Sequence, residues 1–265
     1  MNFSYYPGCT LKTKAKELDE CARRAAEALD VRLEELENWQ CCGAVYPLAR
    51  DEVGTRLSAV RALSAAYAAG QKLVTVCSAC HHVIKRVNND MKNDPEIRDK
   101  VNAYIAPDAP YAGEATVIHY LEMLRDEVGF DNIKSKLAAP LKERKIHAYY
   151  GCLLLRPSDV MAFDDPENPS IMEKLTAALG ATPVETAYRN ECCGGFVALS
   201  NPALAAKKAA AVVDAAIEAG ADTIMTACPL CKYNLDKAAG GRIGVYYFAE
   251  LLCQALGLSC GEGKA

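Results

Sequence analysis

No uninterrupted apolar run of about 18 residues, the length that crosses a bilayer as a helix, occurs in this chain of 265 residues, so nothing in it reads as a membrane span by itself. The first six residues, Met1 to Tyr6, have neither the positive start nor the apolar stretch of an export signal. Positive charge is not in excess. The net charge of −4 and the pI near 5.7 argue against nucleic acid as a partner, because phosphate binding needs a basic surface. No basic run with interleaved aromatics and no low-complexity tract is found. What remains is an ordinary globular composition, 51% hydrophobic and 24% charged, long enough for one large core or two modest ones.

Against that background the 13 cysteines stand out. In a small secreted chain they would mean a disulfide framework. Without an export signal, metal or redox chemistry is the better reading, and the expected compartment is the cytoplasm. Cys9, Cys41-Cys42-Gly43 and Cys77-Ser78-Ala79-Cys80 are followed by Cys152, Cys192-Cys193-Gly194 and Cys228-Pro229-Leu230-Cys231. Four positions repeat at a shift of 151 (41→192, 42→193, 77→228, 80→231). Only 9→152, a shift of 143, breaks the register, through an eight-residue insertion in the second copy. The chain is an internal duplication whose repeated element is a five-cysteine constellation.

The pattern around the thiols alternates strand and helix. In the first half Phe3 to Tyr6 is extended and stops at Pro7-Gly8, Leu11 to Leu29 reads as a helix, and Val31 to Leu36 is extended before the vicinal pair. Asp51 to Ala69 reads as an amphipathic helix with Val53, Leu57, Val60, Leu63 and Tyr67 on one face, and Leu73 to Val76 as a buried strand entering Cys77. The second half repeats the order. Ile146 to Tyr149 is extended, Ile171 to Leu179 helical and Val184 to Ala187 extended; Pro202 to Ala219 is helical behind an Asn201 or Ser200 cap, and Thr223 to Thr226 is a strand into Cys228. A further echo, Val117 to Leu124 against Val245 to Leu252, leaves 23 extra residues in the first half, including a loop at Pro107 to Pro110. The expected fold is α/β, with two pseudo-symmetric units, 1–140 and 141–265, each a small mostly parallel sheet flanked by helices. The thiols then fall at the carboxyl ends of strands, where ligands sit in such sheets. The tail Gly261 to Ala265 is expected to fray.

Five thiols exceed the four ligands of a closed tetrahedral zinc site, and adjacent cysteines reach one tetrahedral ion awkwardly. Five thiolates from three loops suit a cluster of several irons. The glycine after each pair lets the backbone bend close to a bulky cofactor, and a helix start at each Cys-x-x-Cys offers amides to anionic sulfur. Structural zinc in both halves and a thioredoxin-like dithiol stand as alternatives. Cys21, Cys253 and Cys260 have no counterpart in the repeat and read as ordinary buried or tail thiols. His81 and His82 read as solvated or core histidines, with a proton donor beside the cofactor as the alternative; the second copy has Lys232 and Tyr233 there. His119 and His147 read as structural, and Trp39 as packing around the cofactor.

A distant Cys, a Cys-Cys-Gly and then a Cys-x-x-Cys 35 residues on resemble the CCG domain, and two copies in one chain resemble the HdrB-type component of heterodisulfide reductase and its bacterial relatives. The second half carries the likeness in Gly151-Cys152-Leu153-Leu154-Leu155-Arg156-Pro157, Asp164-Asp165-Pro166-Glu167-Asn168-Pro169, Cys192-Cys193-Gly194-Gly195 and Thr226-Ala227-Cys228-Pro229-Leu230-Cys231. The resemblance implies two noncubane [4Fe-4S] clusters, one bound by Cys9, Cys41, Cys42, Cys77 and Cys80, the other by Cys152, Cys192, Cys193, Cys228 and Cys231. It also implies a small-molecule disulfide or dithiol substrate; in the methanogen enzymes this is the coenzyme M–coenzyme B heterodisulfide, which enters between the clusters. The implied partners are an HdrC-like protein with ferredoxin-type [4Fe-4S] clusters and an HdrA-like flavoprotein feeding it. The chain lacks the Cys-x-x-Cys-x-x-Cys run of a ferredoxin-type cubane, so electrons have to come from another subunit. Family members in quinone-, fumarate- and lactate-linked oxidoreductases imply a second reading, an electron-transfer subunit without a disulfide substrate.

Overall fold

The computed structural model of the protein describes residues 1–44, 50–106 and 109–259. The first half runs β1 (Asn2–Tyr6), α1 (Cys9–Thr13), α2 (Lys16–Ala28), β2 (Arg32–Glu35), α3 (Gly54–Ala68), β3 (Leu73–Thr75), α4 (Ser78–Asn93), α5 (Pro95–Ile105), β4 (Val117–His119), α6 (Tyr120–Glu122) with a π-helical continuation Met123–Val128, and α7 (Phe130–Ser135). The second runs β5 (Lys145–Tyr149), α8 (Ser158–Met161), α9 (Ile171–Ala178), β6 (Thr182–Val184), a 3-10 turn Gly195–Val197, α10 (Pro202–Glu218), β7 (Thr223–Thr226), α11 (Pro229–Ala239), β8 (Gly244–Tyr247) and α12 (Phe248–Ala255).

Each half builds a four-stranded sheet, in the orders β2-β1-β3-β4 and β6-β5-β7-β8, with every strand pair parallel. The α/β architecture read from the sequence is the one observed. Inner strands of a parallel sheet are covered on both faces and read as apolar runs. The inner strands β3 and β7 are accordingly buried throughout, whereas the edge strand β2 is half-exposed along its length. From β1 the chain leaves toward β2 and from its neighbour β3 toward β4, so the two connections part and open a crevice beyond the strand ends. Cys9 and Cys77 lie at that crevice, and Cys152 and Cys228 at its twin between β5 and β7.

Local expectations shift in places. Leu11 to Leu29 is two helices, parted at Ala15, which leaves the helical region at φ −136° and ψ 52°. The extended stretches Val31 to Leu36 and Val184 to Ala187 are met only in part by β2 and β6. Helix α3 buries Ala59, Val60, Ala62, Leu63 and Ala66, while Tyr67 is 55% exposed. Its alanines allow close approach to α4, so small side chains rather than the largest ones decide which face turns inward. The 23-residue expansion is mainly helical: α4 has 16 residues against 11 in α11, and α5 follows, capped by Asp94 Oδ1, which accepts from Ile97 N at 3.1 Å. Asn201 caps α10 through Leu204 N at 3.0 Å. Pro107, Asp108, Cys260 and Gly261 to Ala265 lie outside the described residues.

The halves interlock. Helix α12 of the second packs on α2 of the first, while α7, beyond the first half's matching helix, packs on α9, the counterpart of α2. Across the seam Cys253 Sγ donates to Cys21 O at 3.1 Å, and the Tyr120 and Phe248 rings meet at 5.4 Å. Ser78 Oγ donates to Ala227 O at 2.8 Å, and Tyr247 Oη donates to Val76 O. Each carbonyl immediately before a Cys-x-x-Cys is thus tied to the other half. Among the described residues no helix is long and apolar enough to cross a membrane.

Candidate metal centre

Cys77 and Cys228 are the N-caps of α4 and α11, in extended conformation at φ −106° and −129°. Cys80 and Cys231 follow three residues on, within the first helical turn. Amides of that turn donate to the capping sulfurs, from Cys80 to Cys77 and from Leu230 and Cys231 to Cys228, where the partial positive charge of a helix start favours a thiolate. The vicinal pairs arrive on loops closed by Gly43 and Gly194 at φ 79° and 81°. Cys42 Sγ lies 3.4 Å from Cys80 Sγ and Cys193 Sγ 3.4 Å from Cys231 Sγ. Cys41 Sγ is 3.5 Å from Cys9 Sγ, and Cys152 lies near enough to Cys192 for each to act on the other's ionisation. The two sets therefore share one pattern of pairing. They also meet: Cys77 and Cys228 face one another across the seam, near enough for each to act on the other's ionisation. All ten thiols singled out in the sequence lie in this one continuous arrangement.

Burial disfavours a thiolate, and it raises Cys41, yet in the Cys42–Cys80, Cys152–Cys192, Cys193–Cys231 and Cys77–Cys228 contacts one sulfur is held toward the charged form. Cys192 is pulled down to about 6 by its hydrogen bond with Cys152, helped by the Gly194 amide at 3.3 Å and by Lys208. Cys42 is pulled to about 7 by its hydrogen bond with Cys80. Their partners Cys152 and Cys80 are pushed up, chiefly by the same bonds. At the seam Cys228 is lowered by hydrogen bonds with Cys231 and Cys77, and Cys77 is raised by its bond with Cys228. These protons belong to pairs rather than to single residues.

The backbone makes room at Gly8 and Gly151. A Cβ on Gly8, at φ +82°, would stand 2.7 Å from Cys80 Sγ, and one on Gly151, at φ +67°, 3.4 Å from Cys231 Sγ. The sequence reading gave this role to the glycine after each pair. Of those two, a Cβ on Gly43 meets nothing within 4 Å among the described residues, and one on Gly194 would meet the α10 backbone at Ala205, 2.7 Å away, rather than a sulfur. Beneath the sulfurs, Tyr6 Oη donates to Gln40 O and Tyr149 Oη to Glu191 O at 2.7 Å, fixing the peptide before each vicinal pair. Sequence reasoning missed these tyrosines, although Tyr-x-Gly-Cys at 6–9 and again at 149–152 was there to be seen.

The Asp164 to Pro169 stretch is a structural brace beside Cys152. Asp164 Oδ2 accepts from Ser170 N and Ile171 N at 2.7 and 2.9 Å, and Arg189 binds Asn168 Oδ1 and the buried Glu173 at 3.0 Å. Tyr150 Oη donates to Glu173, and Tyr150 N binds Arg189 O at 2.8 Å. His81 and His82 are core residues rather than solvated ones. His81 Nδ1 is 2.9 Å from Thr75 Oγ1 and its Nε2 3.6 Å from Glu122; His82 Nδ1 is 3.2 Å from Leu153 O. Burial lowers the pKa of both. His119 caps α6, accepting from Leu121 N at 3.2 Å, and His147 is bonded to Val184 O. Trp39 packs edge-on against Tyr6 at 5.3 Å and donates to Glu35 at 3.0 Å. Cys21 and Cys253 are buried between α2 and α12.

Ten soft donors in two sets of five, backed by helix amides and cleared of Cβ atoms, fit iron–sulfur groups on the chemistry of the donor set. Among the described residues no three His, Cys, Asp or Glu are arranged to hold a single metal ion. The cavity at the second set, lined by Tyr150, Leu153, Phe196, Leu230 and Ser78 besides the sulfurs, measures about 20 Å³. An occupant larger than a water therefore has to widen the sulfur contacts.

Fold and thiol pattern define a class, and the model of the family described as Cysteine-rich domain (CCG) matches residues 3–85 and 146–236. The chain belongs to that family. It is 30% identical to the 8-methylmenaquinol:fumarate reductase membrane anchor subunit of Wolinella succinogenes, over 98% of this chain and 94% of that one. It is 28% identical to the B subunit of the Ferredoxin/F(420)H(2)-dependent CoB-CoM heterodisulfide reductase of Methanosarcina acetivorans, over 98% and 90%. A crystal structure of a hypothetical protein from Helicobacter pylori has a TM-score of 0.73 at 14% identity over 97% of this chain; the chain spans about half, 49%, of that one, and the likeness is one of fold.

Proposed function

We propose that the chain is the disulfide-reducing, or in reverse thiol-oxidising, iron–sulfur subunit of a multi-subunit redox complex in the cytoplasm. In this reading it carries one noncubane [4Fe-4S] cluster in each of two units, 1–140 and 141–265. Cys9, Cys41, Cys42, Cys77 and Cys80 would hold the first, and Cys152, Cys192, Cys193, Cys228 and Cys231 the second. The observation that carries the reading is the meeting of Cys77 with Cys228 across the seam, near enough for each to act on the other's ionisation and next to the Ser78–Ala227 hydrogen bond, which puts both groups of thiols beside one another. When bound, the two clusters supply one-electron chemistry twice, matching the two electrons that reduction of an S–S bond takes. The protein does the rest with its own groups. The first-turn amides of α4 and α11 stabilise anionic sulfur, Tyr6 and Tyr149 hold the vicinal loops, and the buried Tyr120, Tyr247 and Phe248 keep water from the seam. Electrons come from a ferredoxin-type [4Fe-4S] protein, itself fed by a flavoprotein.

A second reading, an electron-transfer subunit of a quinone-, fumarate- or lactate-linked oxidoreductase without a disulfide substrate, is favoured by the likeness to the Wolinella fumarate reductase subunit. Anaerobically purified protein is expected to hold about eight iron and eight acid-labile sulfide per chain, the sum of two four-iron clusters. Far fewer, or zinc in their place, overturns both readings. Turnover of the coenzyme M–coenzyme B heterodisulfide with reduced viologen by the assembled complex supports the first, and reduction of the complex without such turnover supports the second.

A further inference from the structure

Among the matched elements of the two halves, the outer face of the helix that follows each Cys-x-x-Cys differs. On α4 that face carries Ala79 and His82, both buried, at 7% and 6% exposure. Their cover is the second half's own chain: His82 Nδ1 meets Leu153 O, and α8 lies against α4. The cover belongs to the segment lengthened in the second copy, where Cys152 precedes α9 by 19 positions while Cys9 precedes α2 by seven. The short first-half segment, α1, turns back onto α2. On α11 the equivalent positions are Leu230 and Tyr233, and they stand 38% and 64% exposed.

This open face borders the second set of sulfurs. Leu230 and Phe196 both line the cavity there, and Leu199, just past the 3-10 turn, is 99% exposed. Lysines frame it. Lys237 follows Tyr233 by four positions on the same stripe of α11, and Lys208 on α10 is near enough to act on the Cys192 thiol; both are exposed. A cluster of large apolar side chains in water marks an interaction surface; Glu191 also acts on that thiol and Asp236 is paired with Lys232, so the two lysines leave the rim with an excess of positive charge, which steers an approaching partner.

We propose that the open face of α11, with the turn before α10, is the docking surface for an electron-carrying protein whose contact face is apolar at its centre and acidic at its margin. The partner supplies on α11 the cover that α8 supplies on α4, and it arrives beside Cys192 and Cys193. The proposal rests on the redox reading for its purpose.

The test uses the full chain and, as probe, a purified acidic two-cluster [4Fe-4S] ferredoxin, with binding read by calorimetry at low and high salt. Wild-type protein is expected to bind, more weakly as ionic strength rises. Tyr233→Asp, and separately Lys208→Glu with Lys237→Glu, are expected to weaken binding about tenfold or more, while Tyr104→Asp on the remote α5 leaves it unchanged. All these side chains are exposed, and circular dichroism checks that each variant folds. Absence of wild-type binding overturns the proposal, as does binding indifferent to the α11 substitutions. Sedimentation showing that the face instead joins two copies of this chain, or flotation showing that it holds lipid vesicles, overturns it too. Iron and sulfide are measured on the same preparations. Tyr233-dependent binding by protein devoid of iron removes the redox reading and keeps the surface, whereas full iron with no binding does the opposite.

Discussion

Gly8 and Gly220 share a left-handed backbone, both at φ +82°, but a Cβ on Gly220 meets nothing within 4 Å, whereas one on Gly8 meets Cys80 Sγ at 2.7 Å. Alanine at either site costs about 1 kcal/mol or more for the backbone alone. Only at Gly8 does it also displace a sulfur. Gly8→Ala is therefore expected to lower iron content sharply and Gly220→Ala to leave it full; equal iron in the two would refute the cradle. Tyr149→Phe leaves Glu191 O without its donor and is expected to cost about 1–3 kcal/mol in urea unfolding. No change in that measurement would mean that the hydroxyl does not hold the Cys192 loop. The donor residues were legible in the sequence because ten cysteines repeat at fixed spacing. The tyrosines and preceding glycines were not singled out, since tyrosine and glycine serve many local purposes and only contact with sulfur distinguishes these.

Two helices begin with the same device. Glu122 Oε2 accepts from His119 N and Glu250 Oε2 from Tyr247 N, each at 2.6 Å. Burial raises the pKa of both carboxyls above their ordinary 4.5, against the opposing pull of Lys85 and Lys232 respectively. The folded chain thus binds these protons more tightly than the unfolded one. The associated stability is fully present below 4.5 and is lost as pH rises through the raised folded values. Replacing both with Gln is expected to flatten the decline of stability above about pH 4.5, read from urea titrations at a series of pH values; parallel slopes in wild type and variant would count against it. Elements with strong end signals, such as α10 behind Asn201, were readable in the sequence. The buried face of α3 was not, because alanine contributes little to a hydrophobic pattern yet sets how close two helices come.

At the scale of the molecule, α12 lies on α2, and Phe248, Leu251 and Leu252 are fully buried. Side chains of this kind contribute about 1.5–3 kcal/mol each when buried, a large share of any domain's net stability. Segments 1–140 and 141–265 made separately are expected to lack native near-ultraviolet circular dichroism, and to regain it with cooperative unfolding when produced together. A half that folds alone would show the interlock to be dispensable. Spacing foretold two sheets with thiols at the strand ends. It could not foretell that the sets touch, because that depends on pairings such as Tyr247 with Val76, 171 positions apart, which leave no local periodicity. The contact of α12 with α2 also bears on ancestry. A chain with one copy has nothing of its own to lay on α2 where α12 now lies, so a one-copy forebear would have needed a second copy beside it. Within one chain neither copy is any longer held to resemble the other, and the two do differ: one flank carries an added segment, and Lys232 stands where its sibling has His81.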